Sequence, residues 1–182
     1  MAHRGRRGVL GASALRFSRT RAGAGLTALI ARAAPRAVPG TTAVRPELLI
    51  MRHPVPIGPV HLLAVSRSGI PDAVADHAAA DAFWGALASW LDQHAAGHGV
   101  VAGLTNLGDR QEVRLLHVHL IGAAPAWADR LLGEGAAGAT AATLPELLAR
   151  LRADRSLSGS TATIAVLGDG SAGWRAVVER PG

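Results

Sequence analysis

From residue 46 onward, apolar positions fall into short runs separated by proline, glycine and polar clusters, a pattern of short strands with few helices. Leu48-Leu-Ile-Met51 predicts a short buried strand, ended by the proline-punctuated His53-Pro-Val-Pro-Ile-Gly-Pro59. Val60-His-Leu-Leu-Ala-Val65 predicts a second strand, closed by Ser66-Arg-Ser-Gly69. Between 72 and 95 the period lengthens to that of a helix. Phe83, Leu87, Trp90 and Leu91 share one face, Asp72 and Asp76 suit the N-terminal end, and Gly97 and Gly99 stop it. Val100 to Leu104 predicts a third strand, Thr105 to Arg110 a turn, and Val113 to Ile121 a fourth strand.

Beyond Gly122 the pattern weakens. Pro125 to Leu132 predicts a short helix, 133–142 a small-residue linker, and Leu144 to Arg152 a helix with Pro145 in its first turn. Thr161 to Leu167 and Trp174 to Glu179 flank a glycine-rich turn and predict a hairpin. Residues 1–45 show little periodicity. The expected organisation is a basic, disordered arm over 1–45, an α+β domain over 46–123, and a C-terminal extension over 124–182. The domain is expected to be a small antiparallel sheet with one long helix packed on a face. The extension, a helix plus a hairpin, is expected to pack on or beside it. Trp84 and Trp90 belong to the core by default, with an interface as the alternative.

Composition narrows this picture. A length of 182 residues favours a single folded domain, and no run of about 18 apolar residues predicts a membrane-spanning helix. The absence of cysteine excludes disulfides, cysteine nucleophiles and cysteine-bound zinc. The net charge of +6 is unevenly spread: nine of the nineteen arginines precede Glu47, the first acid. From residue 46 onward ten arginines face thirteen acids, so the domain itself is mildly acidic. The arm has three functional readings, a transit-like segment, a nucleic-acid contact or an anionic-membrane contact, beside a disordered extension or a start codon set too far upstream. Its apolar stretch is poor and broken by Arg32, which argues against a secretory signal. A cytoplasmic protein is the expectation.

Chemistry concentrates on the fourth strand. Alternate residues share a face, so His117 and His119 stand side by side, about 7 Å apart along the strand. Two imidazoles there suit a phosphate held across both rings, because imidazole serves as nucleophile, base or cationic partner. A half-exposed pair without chemistry is the plain alternative. On spacing alone the first enzymatic reading is a metal centre using both histidines, with Asp109, Glu112 or His61 as a third ligand.

The segment Asn106-Leu-Gly-Asp-Arg-Gln-Glu-Val-Arg-Leu-Leu-His-Val-His-Leu-Ile-Gly122 resembles the signature of the histidine-triad (HIT) superfamily. Upstream, Pro59-Val-His-Leu-Leu-Ala-Val-Ser-Arg67 is similar to that family's earlier histidine-bearing strand, and the resemblance spans roughly 46–123. It implies a nucleotidyl-phosphate hydrolase or transferase (a phosphoramidase among others) that uses neither metal nor cofactor. The substrates would be nucleoside phosphoramidates or dinucleoside polyphosphates, processed through a nucleotidyl-histidine. His117 takes the position of the nucleophile and His119 that of the group contacting phosphate or leaving group. Asn106 and Gln111 are implied to contact ribose and phosphate, with His61 near the nucleotide and backbone amides around Gly108 as phosphate donors. Leu115 replaces the first histidine of the triad, and Glu112 the usual Ser or Thr. A homodimer is also implied. A non-catalytic nucleotide- or nucleic-acid-binding relative, the latter through the arginine arm, is a further alternative.

Overall fold

A computed structural model describes residues 29–30, 32–70, 74, 78–100, 102–111, 113, 115–122, 138–154, 157, 161–168 and 174–179. The elements are β1 (Thr41–Val44), β2 (Leu48–Arg52), β3 (His61–Ser66), α1 (Ala78–His98), β4 (Ala102–Asn106), β5 (His117–Ile121), β6 (Gly138–Ala141), α2 (Leu144–Ala153), β7 (Thr163–Gly168) and β8 (Trp174–Glu179). The strands form one sheet in the order β1-β2-β3-β5-β4-β7-β8-β6, and each paired neighbour runs antiparallel. This is the α+β architecture expected, an antiparallel sheet with a long helix and a second shorter one.

One face of the sheet carries the core. Leu48, Ile50, Leu62, Ala64, Leu116, Val118 and Leu120 pack with Phe83, Trp84, Leu87 and Trp90 of α1. Both tryptophans are thus core residues, each 2% exposed. The helix is described from Ala78 and continues through Gly97 to His98. Gly99 then adopts φ +66° and ends it, with its N–H and that of Val100 closing onto the Ala96 and Ala95 carbonyls. Asp72 and Asp76 lie outside the described residues. In α2 a reciprocal cap joins Thr143 to Glu146, and Leu144, Leu147, Leu148 and Leu151 are buried. Arg152 bonds Asp81 at 2.6 Å, tying α2 to the first turn of α1.

The C-terminal hairpin continues the sheet itself. Asn106 pairs with Thr163 and Gly103 with Val166, so β7 lies directly against β4. Two edge strands had no alternating apolar signature. β1 lies within the segment expected to be an arm, and β6 within the expected small-residue linker. Edge strands take their place from ladder hydrogen bonds, which Thr, Ala and Gly supply as well as larger residues. Strand β5 is shorter than expected, because the chain turns before it: Leu115 N–H bonds the Val113 carbonyl and Leu116 N–H bonds Ile70. The predicted turn at 105–110 begins later, with Thr105 and Asn106 in β4 and a 3-10 turn over Gly108–Arg110. The predicted helix over 125–132 and most of the basic arm lie outside the described residues. No helix among the described residues is long and apolar enough to cross a membrane.

Candidate functional site

Residues paired across antiparallel strands share a face, so the register assigns the face opposite the core. One row contains Val65 and His117; the next contains Met51, Leu63, His119, Leu104, Ala165 and Val177. A third contains His61, Ile121 and Ala102. Asn106 lies two residues beyond Leu104 on β4, abreast of His117, and pairs with Thr163, which pairs with Glu179. The small cluster Leu104, Ile121, Ala165 and Val177 makes this face partly apolar beside the histidines. His61 and His117 are buried, and His119 is half-buried.

Hydrogen bonds fix which nitrogen of each ring carries a proton. His117 Nδ1 lies 2.7 Å from the Leu115 carbonyl oxygen. A carbonyl only accepts, so Nδ1–H is the donor and the neutral ring has its lone pair on Nε2. Ile57 N–H donates to His61 Nδ1 at 3.2 Å, which places the His61 proton on Nε2. That proton points at His119 Nδ1, 2.9 Å away, so His119 in turn carries its proton on Nε2. Adjacent on one strand, His117 in its neutral form offers a lone pair where His119 offers an N–H. Their rings lie 5.2 Å apart between centroids.

Both His61 and His119 are neutral at pH 7. Burial, then the neighbouring His53, lowers His61 to about 4. Burial, then His117, His61 and His53, lowers His119 to about 3. Each removes water from a cation and crowds it with further imidazoles.

Among the described residues, His53, His61 and His119 place one ring nitrogen each within 4.8 Å of one another. By distance the three could hold a metal ion, but the rings as they stand are not oriented for one. The His53 and His61 rings stack 4.0 Å apart at 5°. A metal lies in the plane of each ring that ligates it, and one ion cannot lie in two stacked parallel planes. The tautomers agree. A metal-bound ring donates from its other nitrogen, whereas His53 Nδ1 and His61 Nδ1 both accept amide protons, from Val55 and Ile57. Placing an ion on His119 Nε2 would reverse its bond to His61 and set a His61 proton against the Ile57 N–H. Asp109, considered as a third ligand, is exposed in its turn, and Glu112 lies outside the described residues.

The remaining expected residues divide. Gln111 Nε2 donates to the Leu115 carbonyl at 3.3 Å, the same oxygen that holds His117. Gly108 has φ +57° and opens the 3-10 turn, but the Asp109 amide is taken by Thr161 and the Gln111 amide by Gly108 O. Asn106 is bonded to Thr163. His53 was missed as a site residue, although a signal existed: it begins the proline loop that His61 ends, and antiparallel strands bring such ends together. Its N–H indeed bonds the His61 carbonyl. Thr163 carried no local signal, being 57 residues from its partner. A cleft of about 530 Å³ near Arg32 and Arg67 is lined by Ala79 and Ala82, hence on the helix side, and Arg67 there donates to the Arg32, Arg45 and Pro46 carbonyls.

No protein-family model matches the chain, and no curated protein matches it.

Proposed function

We propose that the protein is a nucleotidyl-phosphate hydrolase or transferase acting on nucleoside phosphoramidates or dinucleoside polyphosphates, with His117 as the nucleophile. The observation that carries this reading is the His117 Nδ1–H bond to the Leu115 carbonyl, which leaves the lone pair on Nε2. Nε2 attacks the α-phosphorus, forming a P–N bond while the bond to the amine or phosphate leaving group breaks. The His119 Nε2–H donates a hydrogen bond to that phosphoryl or leaving oxygen or nitrogen, and the departing amine or phosphate takes its proton from solvent, to which the attacking water later returns one. Water, or an acceptor phosphate, then displaces the nucleotide and restores the ring.

The missing first histidine has little bearing on this step. Backbone at Leu115 orients His117, so the side chain there need not be an imidazole. The substrate class rests on the sequence resemblance together with this arrangement. A homodimer belongs to the same reading, and the molar mass in solution tests it.

The decisive assay is release of AMP from adenosine phosphoramidate. His117→Ala is expected to lower kcat/KM by on the order of 10⁴-fold or more, as removal of a nucleophile does. An unchanged rate in that variant would sink the assignment. Activity that appears only on adding zinc would return the metal reading.

A further inference from the structure

Asn106 belongs to the expected site, yet its side chain is held by a partner from the far C-terminal hairpin. The Thr163 hydroxyl lies 2.8 Å from Asn106 Oδ1 and 3.0 Å from Arg110 Nη1, and Arg110 also bonds Glu179 Oε2 at 2.6 Å. Arginine can only donate, so the Thr163 oxygen accepts from it and gives its one proton to Asn106. The atom receiving that proton must be an acceptor, which fixes the Asn106 amide with Oδ1 towards β7. Its NH₂ is thereby turned away from β7. Strand β5, with His117, lies on that other side.

We infer that Thr163, backed by Arg110 and Glu179, is a positioning residue that presents the Asn106 NH₂ as a donor to an anionic phosphoryl oxygen of the nucleotide at His117. This deepens the proposed function and rests on it for the identity of the ligand. Among the described residues no other bond distinguishes the two ends of the amide, and a flipped Oδ1 would repel the same anion. The hairpin thus acts on the site through proton direction, while its ladder bonds hold the strand. Thr163 is 7% exposed, so its bonds are shielded from competing water.

The test is AMP binding, followed by calorimetry and by the ¹⁵N-labelled side-chain amide of Asn106, with inorganic phosphate as a second probe. Asn106→Ala and the near-isosteric Thr163→Val should each weaken AMP by roughly ten- to a hundredfold, the scale of a hydrogen bond to a charged group. The double variant should be no weaker than either alone, and Thr163→Ser should restore binding to within a few-fold. The Asn106 amide signal should shift with AMP in wild type and in Thr163→Ser, and not in Thr163→Val. Phosphate alone should reproduce part of the shift. A loss of melting temperature in Thr163→Val with additive binding losses would assign Thr163 a structural role and overturn the inference. So would unchanged binding in Thr163→Val, or no AMP binding by wild type. If the cycle holds while His117→Ala still cleaves the phosphoramidate, the positioning role stands and the catalytic reading alone fails.

Discussion

Strand β5 divides two regions that obey different rules. On its core side Val118 and Leu120, with Leu116 just before the strand, meet α1, where stability depends on volume and exclusion of water. On its other side His117 and His119 depend on which atoms donate and which accept. The first region is non-directional and tolerates any apolar shape that fits. The second is set by a few bonds, and three of its anchors are backbone groups: Leu115 C=O, Ile57 N–H and Val55 N–H. The contrast teaches that substitutions on the two faces should separate stability from chemistry.

The largest separation is expected from setting His117→Ala beside Phe83→Ala. Phe83 is fully buried, and its truncation should cost about 3–5 kcal/mol of unfolding free energy by urea titration. The folded fraction of that variant should keep its activity per molecule. If it loses activity to the same degree as His117→Ala, the two faces are not independent.

Leu115→Ala tests the boundary between the regions. The side chain is 2% exposed, so about 2–4 kcal/mol should be lost, whereas its carbonyl continues to hold His117. Turnover at saturating substrate should change by less than about threefold, well under the tenfold that 1.4 kcal/mol would bring. A collapse of turnover in a folded variant would show that the side chain does more than pack.

Acid should act on the histidine face. An unfolded histidine titrates near 6.5, while folded His61 and His119 titrate at about 4 and about 3. Between pH 6.5 and roughly 3 the unfolded chain therefore binds more protons, and stability rises with pH. The contribution is fully present above about 6.5 and is lost as pH falls towards the folded values. Urea midpoints should drop from pH 7 to pH 5 in wild type and drop less in His119→Asn; an identical slope in both would contradict the burial argument.

The smallest effect belongs to the Arg152–Asp81 pair on the helix side. Asp81 is 55% exposed, so Asp81→Asn should cost no more than about 1 kcal/mol by urea titration, and less in high salt. A larger loss would mean that the contact between α1 and α2 is carried by charge instead of by apolar burial.

Much of the core was legible because period alone reports it. The spacing of Phe83, Leu87 and Trp90 identified the buried helix face, and alternation on 117–121 placed both histidines on one side. The chemistry of that side was only partly legible. Alternation pairs His117 with His119 but cannot say that one ring offers a lone pair and the other a proton. That difference comes from Leu115 O and Ile57 N–H, main-chain groups identical in every sequence.

Local pattern therefore determined which residues face the core, where the long helix lies and which strand carries the imidazoles, because those depend on neighbours a few positions apart. Tertiary structure alone decided that His53 stacks on His61, that the hairpin joins the sheet beside β4, and that Thr163 reaches Asn106. These contacts join residues 8 to 63 positions apart, and their hydrogen-bond directions exist only once the strands are in register.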